Sequence, residues 1–321
     1  MINYIKKENS KELIKKCVSL KISLVGLSGC GKTSLYSVAF AEKSAEETKS
    51  LSPTILYETR RHPFLGLQVG IFDFGGQEQY RREYMDKPDV IRGTDILIPV
   101  VDLHSPKDFM QAKDYFNGLL DIYRKSNEKP KIFLFLHKYD TENYQKELLD
   151  TNVKKAKEIF LDMFKEYDFD YKLTSIYLQD ELAKTFRDIL ISSYTELKSH
   201  VEKAEEQLEE IKAKVIISDV SGNVIVHNVQ GVSSGLTLRG DLRDFINACN
   251  TVRENIFMSD SAIFRGRNDE GKEVELHIFK YIISVLIMKT KDLDRDSQDK
   301  LNTLLNDMKL FADLIISAHT D

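Results

Sequence analysis

Nine residues, GLSGCGKTS from Gly26 to Ser34, set three glycines before a lysine and a threonine in the order G-x-x-x-x-G-K-[ST]. That pattern suits phosphate binding. Glycines let backbone N–H groups turn inward on an anion, which makes Ser28, Gly29, Cys30, Gly31, Lys32, Thr33 and Ser34 the candidate phosphate contacts. Lys32 can neutralise the outer phosphates, and Thr33 can offer its hydroxyl to a magnesium ion. The loop fixes a phosphate but neither a base nor a reaction, because kinases, ATPases and GTPases share it.

A second segment, IFDFGGQEQY, narrows the chemistry. Asp73 ends a strand-like run 41 residues after Lys32, two glycines follow, and Gln77 comes next. Asp73 can hold a magnesium-bound water, Gly76 can give its N–H to a γ-phosphate, and Gln77 can orient an attacking water. Alone, Asp-x-Gly-Gly is also a common turn. Between these segments, Thr54 in KSLSPTILYE is the natural second hydroxyl for magnesium, in reach only when its loop closes over a γ-phosphate.

The third segment, LFLHKYD, addresses the base. The Asp140 carboxylate can accept from guanine N1–H and the 2-amino group, whereas adenine offers an acceptor at N1 and nothing at C2. A site built to hydrogen-bond a group rejects analogues lacking it by roughly 10⁴ to 10⁵. Lys138 can lay its aliphatic stem along the base. The segment resembles the guanine-reading loop of GTPases, in which asparagine at the place of His137 bridges the base edge and the phosphate loop, and a neutral imidazole N–H can supply one such contact. Further on, Thr174, Ser175 and Ile176 end a strand where a backbone N–H can meet guanine O6.

These loops need a scaffold that brings strand ends together. KISLV, LQVGIFDF, DILIPVVD and KIFLFL are short, β-rich and nearly continuous in hydrophobicity, as parallel strands buried on both faces are. Helical stretches alternate with them, so residues 1–198 read as a doubly wound α/β domain. The charged stretch from Ser199 to Lys214 reads as a helix bridging to a second domain, 199–321, with Val201, Ala204, Leu208 and Ile211 three or four apart. There KVIISDV and NVIVHNV flank Ser221-Gly222 as a hairpin, DLRDFINACNTVRENIF reads as a helix, and SAIFRG, KEVELHIF and YIISVLIM as strands. A closing helix from about Ser297 to Ser317 carries the apolar stripe Leu301, Leu304, Leu305, Met308, Phe311, Leu314 and Ile315. The sum is a small α+β domain on one antiparallel sheet.

The 321 residues are enough for two cores. With 46 basic against 51 acidic side chains, the formal charge of −5 gives no chain-wide drive toward nucleic acid or anionic lipid. Cys17, Cys30 and Cys249 are odd in number and lack metal-ligand spacing, which suits a reducing cytoplasm. YIISVLIM is too short to span a bilayer, Ile2 excludes myristoylation there, and AHTD is no prenylation box. Membrane association is therefore expected only through partners.

With GLSGCGKTS, FDFGGQ, HKYD and TSIY in this order, the chain resembles the Rag/Gtr-type GTPases, a Ras-like domain followed by a roadblock-like domain. The resemblance implies a switch that binds GTP or GDP with Mg²⁺, dimerises through the roadblock-like domain as a homodimer or with another Rag-like GTPase, and meets roadblock/longin-type proteins, activating proteins and exchange factors. FDFGGQ is similar to the A/B branch, whereas RGTDILIPVVD and TSIY look closer to the C/D branch. Ser28 occupies a position where Ras-like loops favour glycine. No internal arginine finger stands out, so hydrolysis by the isolated chain is expected to be slow; Arg60, Arg61, Arg81 and Arg82 near the switches are expected to be solvated. Two other readings share the phosphate loop: a nucleotide-locked scaffold with vestigial hydrolysis, and a metabolic P-loop kinase or ATPase, which would make no use of Asp140.

Overall fold

A computed structural model describes residues 19–41, 43–65, 67–193, 195–229, 249, 261–267, 273–288 and 293–318. The chain divides into two compact units, one of residues 19–62 and 69–186, the other joining 63–68 to the chain from Arg187 onward.

The first unit is built on a six-stranded sheet: β1 (Ser19–Val25), β2 (Tyr57–Phe64), β3 (Leu67–Phe74), β4 (Ile96–Asp102), β5 (Lys131–His137) and β6 (Phe169–Thr174), in the order β2-β3-β1-β4-β5-β6. β1, β4, β5 and β6 run parallel, with His137 in register with both Asp102 and Thr174. That register brings the carboxyl ends of these strands to one edge, where ligands bind in open α/β sheets. All residues of β4 but the last are buried, as the unbroken apolar run predicts.

β2 is the strand that hydrophobicity does not announce. Its sequence, YETRRHPF, is mostly exposed, because it lies at the sheet edge. Two residues separate it from β3, a connection only an antiparallel pair can make, so the sheet is mixed rather than wholly parallel.

Among the described residues, six α-helices accompany the sheet: α1 (Lys32–Ala39), α2 (Ala45–Thr48), α3 (Glu78–Asp86), α4 (Phe109–Ser126), α5 (Lys146–Phe160) and α6 (Gln179–Ser192). In α4, Phe109, Ala112, Phe116, Leu119, Leu120 and Tyr123 recur at three and four residues and are buried. Their rings join Phe160 and Phe164, so phenylalanine and tyrosine fill the core of a chain without tryptophan. Asn127 ends α4 in the left-handed conformation, at φ 57°.

The second unit holds α7 (Thr195–Glu209), β7 (Lys214–Asp219), β8 (Val224–His227), β9 (Ser261–Arg267), β10 (Glu273–Phe279), β11 (Ile283–Met288) and α8 (Arg295–Ala318). The sheet order is β8-β7-β11-β10-β9, antiparallel at every pair. This is the expected small α+β domain. The helix expected in DLRDFINACNTVRENIF lies outside the described residues except Cys249. The expected bridging helix begins at Thr195 and is integral to this unit: Val201, Ala204 and Leu208 are buried, Gln207 donates to Asp307 at 2.6 Å, and His200 stacks on Phe311.

The turn between β2 and β3 is tied into this unit. Leu65 N donates to Asp219 Oδ2 at 3.0 Å, and Asn223 Nδ2 donates to the Pro63 carbonyl at 2.8 Å. The Asp219 carboxylate also accepts from the Ser221 and Asn223 amides and from Asn223 Nδ2. Burial outweighs these donors and pushes its pKa up to about 6.

Candidate nucleotide-binding site

The phosphate loop follows β1 and opens α1, as its pattern predicts. Gly31 sits at φ 94°, where an L side chain is strained, and a Cβ there would lie 2.6 Å from the His137 ring. Glycine is therefore needed twice at one position. α1 begins without a side-chain cap, so its first N–H groups remain available to an anion. Lys32 is buried, its ammonium donating to the carbonyls of Gly26 at 3.0 Å and Leu27 at 2.9 Å. Ser28, Gly29, Gly31, Lys32, Thr33, Ser34, Thr54, Gly76 and Gln77 line one cleft of about 230 Å³. Cys30 is buried behind the loop, its sulfur 3.5 Å from the Lys32 ammonium.

Three residues expected at a metal converge. Thr33 Oγ1 donates to Asp73 Oδ2 at 2.6 Å, Thr54 Oγ1 lies 2.8 Å from Thr33 Oγ1, and it reaches the same carboxylate oxygen at 3.2 Å. Asp73 is fully buried, and its Oδ1 has no hydrogen-bond partner among the described residues. Burial raises its pKa, against the Thr33 and Thr54 hydrogen bonds and the nearby Lys32 and Arg60 charges. A buried carboxylate with a spare oxygen beside two hydroxyls is an oxygen donor set that fits a hard divalent cation. The closed position of Thr54 is held by its neighbours: Gly75 N donates to the Leu56 carbonyl at 2.6 Å, and Tyr84 Oη donates to the Leu56 carbonyl as well.

Gly76 packs so tightly on the phosphate loop that a Cβ would come within 2.3 Å of the Leu27 backbone. Gln77 stands at the N-cap of α3 with its side chain uncommitted to capping. All four arginines near the switches are expected in solvent. Arg61 and Arg82 are exposed, but Arg60 lies over the Tyr36 ring at 4.2 Å, and Arg81 donates through Nε to the Gly76 carbonyl at 3.1 Å.

At the base loop, Asp140 is buried and accepts from the Ser175 hydroxyl at 2.6 Å through Oδ1. Sequence reasoning gave Ser175 and its neighbour Ile176 a backbone role only; the serine hydroxyl also orients the carboxylate. Lys138, at φ 64°, donates to Asp102 Oδ2 at 2.6 Å and to the Gly29 carbonyl at 2.9 Å. The tie between base loop and phosphate loop thus runs through Lys138. His137 is buried, its Nδ1 3.0 Å from Thr174 Oγ1 and its Nε2 side against Gly31. Burial, helped by the Lys138 charge, lowers its pKa to about 3, so the ring is neutral.

Two contributors escaped the sequence. Asp102 ends β4 beside the phosphate loop, and its strand-end position was the available signal. His104 stacks on Tyr144 at 4.3 Å with Nε2 3.7 Å from Asp140 Oδ2, a contact made across loops that no local pattern announces.

Among known proteins, the Gtr1/RagA G protein conserved region matches residues 21–235. The fission yeast (Schizosaccharomyces pombe) GTP-binding protein gtr1 is 28% identical over 240 residues, 73% of this chain and 75% of that protein. GTP-binding protein GTR1 of Saccharomyces cerevisiae is 30% identical over 188 residues, 56% of this chain and 59% of its own length. Ras-related GTP-binding protein A of Dictyostelium discoideum is 33% identical over 123 residues, 37% of this chain and 40% of its own length. A match over two thirds of the chain, laid on a phosphate loop, a Thr-Thr-Asp cluster and an HKYD loop in the expected order, shows that the chain belongs to the Gtr1/RagA G protein family.

Proposed function

We propose that this chain is a guanine-nucleotide switch that binds GTP and GDP with Mg²⁺ and hydrolyses GTP slowly, signalling through partner proteins. The observation that carries the proposal is the convergence of Thr33 and Thr54 on the same oxygen of Asp73. One hydroxyl comes from the phosphate loop and one from a separate loop, so a ligand held there couples the phosphates to the closure of the Thr54 segment. Bound magnesium would supply charge neutralisation across the β- and γ-phosphates.

Lys32 and the loop amides hold the phosphates, Gly76 N–H addresses the γ-phosphate, and Gln77 orients the attacking water. The water oxygen bonds to the γ-phosphorus as the bond to the β-phosphate oxygen breaks, giving GDP and inorganic phosphate. Asp140, aimed by Ser175, accepts from guanine N1–H and the 2-amino group. An arginine finger contributes roughly 10³ to 10⁵ in rate, and we place none here, so an activating protein would set the physiological rate. The family and the second unit further support a dimer, either of two copies or with another Rag-like GTPase, that exchange factors and roadblock/longin-type proteins engage. Membrane contact would run through those partners; no described helix is long and apolar enough to cross a membrane.

Identifying the nucleotide released from freshly purified protein tests this reading, together with titration of GTP, GDP and ATP. Guanine nucleotides should bind at least 10³-fold more tightly than ATP, and Asp140→Ala should erase most of that preference. Comparable ATP affinity would falsify the proposal and favour a kinase or ATPase.

A further inference from the structure

We propose that Arg81 is a positioning residue for hydrolysis, holding the Gly76 and Gln77 carbonyls so that the Gly76 N–H and the Gln77 side chain meet the γ-phosphate and its attacking water. The proposal rests on the GTPase reading above. Arg81 is bound to two consecutive carbonyls: its Nε donates to Gly76 O at 3.1 Å, and its backbone N–H donates to Gln77 O at 3.0 Å as α3 begins. Its guanidinium lies over the Tyr115 ring of α4, 5.3 Å from the centroid. Tyr115 is itself buried in the core, so the arginine rests on a rigid face.

Gly76 also abuts Leu27 and Ser28 of the phosphate loop, with no room for a Cβ. Gly76 is thus held at its Cα by the phosphate loop and at its carbonyl by a charged donor. Gln77 has no cap hydrogen bond of its own, so its backbone direction is set largely by this clamp and the first turn of α3. A catalytic geometry loose by about 1 Å costs on the order of 10²-fold in rate. In this role the arginine works through its neighbours rather than on the nucleotide or the attacking water.

The test uses the full chain with Arg81→Met, which keeps the stem on Tyr115 but removes the donors, and Arg81→Lys, which keeps the charge. Single-turnover GTP hydrolysis should slow about tenfold in Arg81→Met, the effect of losing one charge-assisted hydrogen bond, and Arg81→Lys should recover part of it. Affinity for GDP, which lacks the γ-phosphate, should stay unchanged, while affinity for a non-hydrolysable GTP analogue falls several-fold. In a Gln77→Leu background Arg81→Met should slow hydrolysis less than it does in wild type, because only the Gly76 contribution remains to be lost. Equal slowing in both backgrounds, an unchanged rate, or a lysine variant no better than methionine would overturn the proposal. If the wild type binds GDP but hydrolyses nothing, the hydrolytic reading fails, and the ratio of analogue to GDP affinity alone decides whether Arg81 sets Gly76.

Discussion

The histidine of LFLHKYD does something other than copy asparagine. Its Nδ1 pairs with Thr174 and its other edge fills the space that Gly31 leaves, so it braces the phosphate loop against β6 while Lys138 makes the hydrogen-bonded tie. The sequence offered His137 as one bridge to the phosphate loop; the hydrogen bond to that loop is made instead by the Lys138 ammonium on the Gly29 carbonyl. That outcome depended on the position of Gly29, 109 residues away in the chain. Bracing by a buried neutral ring has a pH signature. The His137 pKa falls from 6.5 to about 3 on folding, so between those values the unfolded chain takes up a proton that the folded chain refuses. Its contribution to stability is full above pH 6.5 and is lost as the pH falls, by up to about 1.4 kcal/mol per unit. Denaturant midpoints at pH 7 and pH 5 should therefore differ more in wild type than in His137→Asn, and an equal difference would show that the ring is not refusing its proton.

At the scale of elements, hydrophobic runs located β1, β3, β4 and β5 because strands buried on both faces must be apolar nearly throughout. β2 stayed hidden for the complementary reason: it is an edge strand whose side chains are largely wet. It matters nonetheless, since β2 and β3 run from the Thr54 loop to Asp73, and the turn between them is held by Asp219. The folded carboxyl keeps its proton up to about pH 6 against an ordinary 3.8, so its titration favours folding below pH 3.8 and ceases to do so as pH rises through 6, opposite in sign to His137. At pH 7 the ionised carboxylate faces four donors. Asp219→Ala removes the acceptor they share, with Asn223 Nδ2 keeping the Pro63 carbonyl, at a cost of about 2 kcal/mol. Hydrogen exchange should show the Leu65 amide losing protection in this variant. Unchanged protection would mean the turn is held by other contacts.

For the whole molecule, the two-core division and the antiparallel sheet of the second unit were legible from element order. The purpose of the last apolar stripe was not. The dimer expected from the roadblock-like order has the stripe as its natural surface, yet Leu301, Leu304, Met308, Phe311 and Ile315 are buried within the chain's own second unit, and Leu305 and Leu314 are half-buried. An apolar helix face reports burial without naming what buries it. Among the described residues of this unit, the exposed large apolar side chains are fewer: Leu310 and Ile316 on α8, 60% and 37% exposed, and Ile263 on the edge strand β9, 53% exposed. An edge strand offers unpaired backbone groups that a second sheet can extend, and association of this kind at micromolar strength requires about −8 kcal/mol. Light scattering at tens of micromolar, on the order of such affinities, should give twice the 37.0-kDa chain mass. Ile263→Asp should halve that mass without altering GDP binding, because a charge on the edge opposes pairing while the nucleotide loops lie in the other unit. A single-chain mass in wild type would exclude self-pairing at these concentrations and direct the search to a related chain as the partner.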